Sequence, residues 1–369
     1  MRVLIAAGGT GGHISPGLAL ADEIRRRGPG HEVAFLGSKA RLESRIVPQA
    51  GYKLYTVAAR GLLGKGLLQK AMFFPTLLVG MIQCLFILAQ FHPSVVVGTG
   101  GYISAPLVLA AGLSGVPVVL LALDALPSKA IRSLARWAKE IHTSFPESKG
   151  YFPVKERKKL KESGNPVREW VLKGERKESR RHFGLVENRK TLLLIGGSQG
   201  AHSLNAAMTE ALGRLRNADL QVLWQTGEKD HPSAASQVMR YGLKAVVKPF
   251  FEEMDKVYAA TDFAVGRSGA TATAELMACG IPCLLVPFPY AAENHQEKNA
   301  RWYESRGAAR VVLNKDLTGE VLAQEILGLV HEPGRLEGMA KNARACGKPE
   351  ATRAIVDSLE RLTGEGKGV

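Results

Sequence analysis

Gly8-Gly9-Thr10-Gly11-Gly12-His13 stands directly behind the apolar run Val3–Ala7, and residues of these types in that order suit the binding of an anion. Glycines after a strand let the backbone approach a ligand closely, and the helix that follows presents unpaired N–H groups to negative charge. His13 lies at the mouth of that helix, where an uncharged imidazole can take up a proton. A lone loop histidine is more often structural, and it is the glycine-rich setting that makes this one a candidate base. Gly98-Thr99-Gly100-Gly101-Tyr102 repeats the device after Val95–Val97. An ordinary tight turn explains one such segment. Two in one half of a chain suggest a concave site for a group such as a diphosphate.

The second half carries related chemistry. Gly196-Gly197-Ser198-Gln199-Gly200 adds a hydroxyl to its backbone donors, and Ser268-Gly269-Ala270-Thr271 opens another helix after a strand. Glu275 falls inside that helix, where a carboxylate can accept both hydroxyls of a ribose. A solvated helix-face glutamate is the plain alternative, although Ala272, Ala274 and Leu276 around it make the face look partly buried. A dinucleotide fingerprint fits poorly: Ile14 occupies the third glycine position of a G-x-G-x-x-G counted from Gly9, and the second strand ends Leu36-Gly37-Ser38 without an acidic residue for a ribose. There is no Asp-x-Asp motif and no His/Cys/carboxylate set at ligand spacing, so neither a metal nor a cofactor is expected. Charge on a leaving group would then fall to helix dipoles, hydroxyls and an arginine.

These turns need strands and helices to hold them. Apolar runs at Val3–Ala7, Glu32–Leu36, Val95–Val97, Val116–Leu121, Leu192–Ile195, Val222–Gln225, Ala245–Val247, Phe263–Val265 and Cys283–Val286 read as strands. Helix-length segments lie between most of them, which predicts βαβ units and parallel sheets. Strand, glycine turn and helix recur at Val3–His13 and Leu192–His202, an echo that predicts two Rossmann-like domains with a ligand cleft at the carboxyl ends of their strands. The stretch Phe145–Lys190, with Pro146, Pro153, Pro166 and the basic run Lys155–Lys161, reads as the connection between them.

At 369 residues the chain has room for two domains, and 46% hydrophobic content marks it as globular. A formal charge of +15 favours an anionic partner. With no RNP-like aromatic pattern, zinc-finger spacing or basic helix-turn-helix, phosphate and acidic lipid rank above nucleic acid. Cys84, Cys279, Cys283 and Cys346 have no framework spacing, so reduced thiols and a cytoplasmic setting are expected. The chain opens on a strand, which argues against a signal peptide. Ala71–Phe91 is uncharged and just long enough to span a bilayer, but Pro75, Gly80, Gln83 and Gln90 interrupt it and a span there would split a domain. A buried helix with a surface patch is expected instead, with Arg60, Lys65 and Lys70 suited to anionic headgroups.

Taken together, GGTGGHISPGLALA from Gly8, GTGGYISAP from Gly98, GNPVR from Gly164, GGSQGA from Gly196, RSGATATAE from Arg267 and PFPYAAENHQEKNA from Pro287 resemble the MurG family, in order and spacing over nearly the whole chain. Members add GlcNAc from UDP-GlcNAc to undecaprenyl-diphospho-MurNAc-pentapeptide, in an inverting transfer that makes lipid II for peptidoglycan. The resemblance implies an α/β GT-B fold, two Rossmann-like domains with parallel sheets facing across a cleft. Residues 1–163 would bind the lipid-linked acceptor and carry the membrane patch; residues 164–345 would bind UDP-GlcNAc; residues 346–369 would return as a helix to the first domain.

It also implies roles for individual residues. Gly12, His13, Gly100, Gly101 and Tyr102 would receive the acceptor diphosphate; of the residues at hand His13 is the first choice for the base and Asp124 the second. Ser198 and the turn Arg267–Ala270 would hold the donor diphosphate and sugar, together with Thr10, Gly11 and Gly12. Arg168, Phe250 and Phe251 would contact uracil, Glu275 the ribose, and Gln296 the GlcNAc hydroxyls. Where the family usually reads His-Glu-Gln-Asn, this chain has Leu121-Ala122-Leu123-Asp124, leaving Asp124 to meet the donor sugar. The location implied is the cytoplasmic face of the membrane, held peripherally. A transferase with another lipid acceptor, a sugar-nucleotide epimerase and a non-enzymatic cell-wall scaffold are the alternatives.

Overall fold

The computed structural model describes residues 1–9, 11–39, 41–59 and 73–364. It divides into two compact units, the first made of Met1–Arg168 with Glu350–Val369 and the second of Glu169–Pro349.

In the first unit seven short strands form one sheet: β1 (Arg2–Ala6), β2 (Glu32–Gly37), β3 (Lys53–Thr56), β4 (Val95–Gly98), β5 (Val118–Ala122), β6 (Glu140–Thr143) and β7 (Leu160–Glu162). Their order is β3-β2-β1-β4-β5-β6-β7, and every pairing is parallel. The connections run through α1 (Gly11–Arg26), α2 (Glu43–Gln49), α3 (Phe73–Phe91), α4 (Ser104–Leu113) and α5 (Lys129–Leu134). β1, β4 and β5 are buried almost throughout, and their Val/Ile/Leu content is what a strand covered on both faces requires.

The second unit repeats the plan with β8 (Lys190–Ile195), β9 (Leu220–Gln225), β10 (Ala245–Lys248), β11 (Phe263–Gly266), β12 (Cys283–Leu285) and β13 (Ala309–Val311). These form a parallel sheet in the order β10-β9-β8-β11-β12-β13. Around it lie α6 (Arg176–His182), α7 (His202–Leu215), α8 (His231–Tyr241), α9 (Met254–Ala260), α10 (Ala270–Ala278), α11 (His295–Glu304), α12 (Gly319–His331) and α13 (Arg335–Cys346). Trp224 is fully buried at the centre of the core that α7 and α12 close, its indole N–H donating to Asn205 Oδ1 at 3.0 Å.

The last helix, α14 (Ala351–Thr363), belongs to the first unit. Arg27 at the end of α1 reaches both Asp357 (2.6 Å) and Glu360 (2.7 Å), while Glu23 pairs with Arg26 and Arg27. Ser358 and Lys161 bond to each other and to Glu140, tying α14 to β6 and β7.

Four strands lie outside the runs read from sequence. β3, β7 and β13 are edge strands with charged residues (KLYT, LKE, ARV), as sheets need if their edges are not to pair with other chains. β6 (EIHT) breaks the apolar pattern with Glu140 and His142, and Glu140 anchors the network just described. The stretch read as a connection therefore supplies β7 to the first sheet, and the first unit runs on to Arg168.

Helix α3 departs from the expected buried helix with a surface patch. Gly80, Cys84, Ile87, Leu88 and Phe91 form its buried face, and no other residue of Phe74–Phe91 is buried. Phe74, Leu78, Val79, Ile82, Leu85 and Phe86 are exposed on the other side. Both faces are apolar, so periodicity could not tell the packed face from the open one. The close contact falls at Gly80, where a methyl group would meet Ala58 O at 2.3 Å and Pro106 Cβ at 3.2 Å. Arg60, Lys65, Lys70 and Ala71 lie outside the described residues.

Candidate functional site

The strand orders place the glycine turns. In an open parallel sheet, ligands bind beyond the carboxyl ends of the strands where the order reverses. The first sheet reverses between β1 and β4, and the turns Gly8–His13 and Gly98–Tyr102 follow those two strands. The second reverses between β8 and β11, which lead into Gly196–Gly200 and Arg267–Ala270. All four turns therefore stand at a switch point.

In the first unit the two turns touch. A methyl group on Gly101 would stand 3.2 Å from the carbonyl oxygen of Gly8, and one on Gly100 would stand 3.1 Å from Cδ2 and Nε2 of His13. The His13 ring thus lies against the second turn. Gly100 has φ +110° and Gly101 φ +71°, so both carry backbone that side chains rarely adopt, at the place where a side chain would displace the imidazole. Thr99 Oγ1 donates to Ala6 O at 3.1 Å and Ser104 Oγ to Gly100 O at 2.8 Å, which fixes the second turn to β1 and to α4. Gly11, Gly12, His13, Gly100, Gly101 and Tyr102 come together at this point; Thr10 lies outside the described residues. Asp124 follows β5, half-buried, with its carbonyl accepting from Ser148 Oγ at 3.2 Å, while Leu121, Ala122 and Leu123 are buried. Arg168 is the last residue of this unit's first segment and is half-buried.

In the second unit Ser198 is exposed at the tip of its turn. The turn is closed by Gly200 N–H donating to Gly197 O at 3.0 Å, and Gln225 Nε2 donates to the same carbonyl at 3.0 Å. Gln225 Oε1 in turn accepts the Phe251 N–H at 3.0 Å, so one buried amide couples the turn to the Phe250-Phe251 pair. Sequence reading missed Gln225, because a glutamine ending a buried strand carries no signal until its neighbours are known. The pair itself is split: the Phe251 ring is fully buried, edge-on to Phe183 at 5.7 Å, and Phe250 is half exposed. Of the two rings expected to pack on uracil, only Phe250 is open to a ligand.

Arg267 directly follows β11 and opens the fourth turn. Its guanidinium donates to Val286 O (3.0 Å), Pro287 O (3.1 Å), Asn314 Oδ1 (2.9 Å) and Ser203 Oγ (2.8 Å). Burial among these neutral acceptors pulls its pKa down to about 10, still cationic at neutral pH. Ser268 Oγ donates to Gln296 O at 2.7 Å, Asn299 Nδ2 to Ser268 O at 3.1 Å, and the Phe288 N–H to Gln296 Oε1 at 3.0 Å. Gln296 at the start of α11 is thereby held beside Ala270 at the start of α10. Glu275 is buried one turn further along α10 and accepts the Tyr258 hydroxyl at 2.8 Å.

In the second unit, helix starts, a buried cation and an exposed hydroxyl are groups of the kind that suit phosphate oxygens. Among the described residues no three of His, Cys, Asp and Glu come together as metal ligands would. A cleft of about 550 Å³ in the second unit is lined by Arg176, Lys190, Asp262, Ile281, Glu337 and Arg344 among others. It lies at the amino ends of β8, β11 and β12, away from the turns, and four of its charges pair with one another: Arg176 with Asp262 and Lys190 with Glu337.

Comparison with known proteins agrees with this layout. Residues 3–143 match the glycosyltransferase family 28 N-terminal domain and residues 191–356 its C-terminal domain. The chain is 41% identical to the UDP-N-acetylglucosamine--N-acetylmuramyl-(pentapeptide) pyrophosphoryl-undecaprenol N-acetylglucosamine transferase of Geobacter sp. (strain M21), over 97% of this chain and 95% of that one. It is 38% identical to the protein of the same name from Thermodesulfovibrio yellowstonii, over 98% and 99%. The crystal structure of Acinetobacter baumannii MurG superposes with a TM-score of 0.78 at 28% identity, covering 98% of this chain and 99% of that one. With its turns at the switch points of two parallel sheets and its likeness running the length of these relatives, the chain belongs to the MurG family within glycosyltransferase family 28.

Proposed function

We propose that this protein transfers GlcNAc from UDP-GlcNAc to the C4 hydroxyl of MurNAc in undecaprenyl-diphospho-MurNAc-pentapeptide, the lipid I to lipid II step of peptidoglycan synthesis. The observation that carries this is the placement of all four glycine-bearing turns at sheet switch points, in a chain that matches the named transferases from end to end.

The first unit's turns would receive the acceptor diphosphate at the start of α1, with Gly12, Gly100, Gly101 and Tyr102 around it. His13 would take the proton of the C4 hydroxyl as its oxygen attacks the anomeric carbon of GlcNAc. The bond from that carbon to the UDP oxygen breaks with inversion, giving a β-1,4 linkage. Negative charge moving onto UDP would be met by backbone N–H groups at the starts of α7 and α10 and by Ser198, with Arg267 adding a fixed positive field. Phe250 would pack on uracil with Arg168, Glu275 would accept from ribose, and Gln296 and Asp124 from sugar hydroxyls. The exposed apolar face of α3 would rest in the cytoplasmic leaflet, holding the protein peripherally near its lipid substrate.

The test is radiolabelled UDP-GlcNAc incubated with a lipid I analogue, with and without EDTA. Label is expected in the lipid product under both conditions. Labelled UDP-GlcNAc consumed without acceptor would indicate an epimerase instead, and label lost with EDTA would overturn the metal-independent mechanism.

A further inference from the structure

Glu43, the first residue of α2, is fully buried, and among the described residues no cation pairs with it. Its carboxylate is held by neutral donors. Oε2 accepts the Gly9 N–H at 3.2 Å; Oε1 accepts the Ser38 N–H at 3.1 Å and the Ser38 hydroxyl at 2.7 Å. Gly9 belongs to the turn after β1 and Ser38 to the turn after β2, so one side chain joins two loops. Its neighbours are shaped to admit it. A methyl group on Gly8 would stand 2.8 Å from Glu43 Oε1, and one on Gly37 would stand 2.6 Å from its Cγ. Neither position leaves room for a side chain while the glutamate is there.

A buried charge of this kind is costly unless its hydrogen bonds are complete. What it does locally is take the Gly9 N–H from behind. Gly9 has φ +97°, and the chain then enters α1 at Gly11. The Gly8 carbonyl, one residue back, is the surface on which the second turn rests at Gly101. Fixing Gly8 and Gly9 therefore fixes both the direction of the α1 start and the seat of the turn against which His13 lies.

We infer that Glu43 is a positioning residue: a carboxylate clamp behind the first glycine turn that aims the α1 start and the His13 imidazole at the acceptor diphosphate. The inference rests on the reading that these turns bind the acceptor. It explains why a carboxylate stands here. Glutamine has the same shape but only one accepting oxygen, so its NH₂ group would face a backbone N–H of either Gly9 or Ser38.

The experiment compares steady-state kinetics of wild type and Glu43→Gln with UDP-GlcNAc and a soluble lipid I analogue, alongside UDP-GlcNAc calorimetry. Glu43→Gln is expected to raise the acceptor KM roughly tenfold, the effect of one buried N–H left unsatisfied, with donor affinity unchanged. Tyr52→Phe, which removes the half-buried bond to Asp22 in the same unit, serves as the stability control and is expected to leave the acceptor KM alone. If Tyr52→Phe reproduces the Glu43→Gln kinetics, the clamp is merely structural and the inference falls. Should Glu43→Gln not fold, Ser38→Ala, which removes one donor to the carboxylate, must raise the acceptor KM by a smaller factor; no rise overturns the inference. Gly12→Val separates the two levels. If it raises the acceptor KM and Glu43→Gln does not, the clamp alone is wrong; if neither does, the acceptor site has been misplaced.

Discussion

Serine at both Phe74 and Phe86 should release the protein from membranes while sparing its chemistry. Each ring is 73% exposed on the open face of α3. An aromatic side chain offers about 200 Å² of surface, so the pair presents about 300 Å² of apolar area to whatever covers this face. At ~25 cal/mol per Å² full burial would contribute ~7 kcal/mol. Partial insertion at the headgroup boundary realises about half, or ~3–4 kcal/mol, a few hundredfold in partition. The assay is co-sedimentation with sucrose-loaded vesicles containing phosphatidylglycerol, with transfer to a water-soluble acceptor analogue measured in parallel. The double variant should lose at least ~50-fold in vesicle partition and keep the soluble-acceptor kcat, since neither ring packs in the core. Wild-type partition in the double variant would refute the docking role of this face.

His13→Ala should lower kcat by ~10²–10⁴ while leaving UDP-GlcNAc affinity by calorimetry unchanged, as removal of a general base requires; near-normal kcat would reassign the base. Arg267→Met should destabilise the second unit, because two carbonyls, Asn314 and Ser203 lose their donor, and it should slow transfer beyond that loss; thermal melts read beside kcat will show whether the two effects separate. His142 is buried, and burial holds its pKa below the ordinary 6.5, to about 4, although Glu140 pulls the other way. The unfolded chain then binds a proton that the native chain refuses, so stability should fall as pH drops through that window and recover above it. His142→Gln should flatten this part of the melting-temperature profile, and an unchanged slope would place the acid sensitivity elsewhere.

Local composition by itself determined much of this protein. Short Val-, Ile- and Leu-rich runs ending in glycine, alternating with helix-length segments, read as strands buried on both faces, and a helix following each puts its free N–H donors at the turn. The four turns and the α10 start were legible for that reason, as were the two Rossmann-like halves and their parallel sheets. Tertiary structure decided what depends on neighbours distant in sequence. β3, β6, β7 and β13 are too short and polar to announce themselves, and they exist because a sheet already stands beside them. Phe250 and Phe251 are identical in type, yet one is exposed and the other is core, since Phe251 is held by the Gln225 side chain at its N–H and by the Phe183 ring. Gln225 and Glu43 gained their roles only when strand order brought separate loops within hydrogen-bond reach, because a polar side chain's partner is set by the fold and not by its own type.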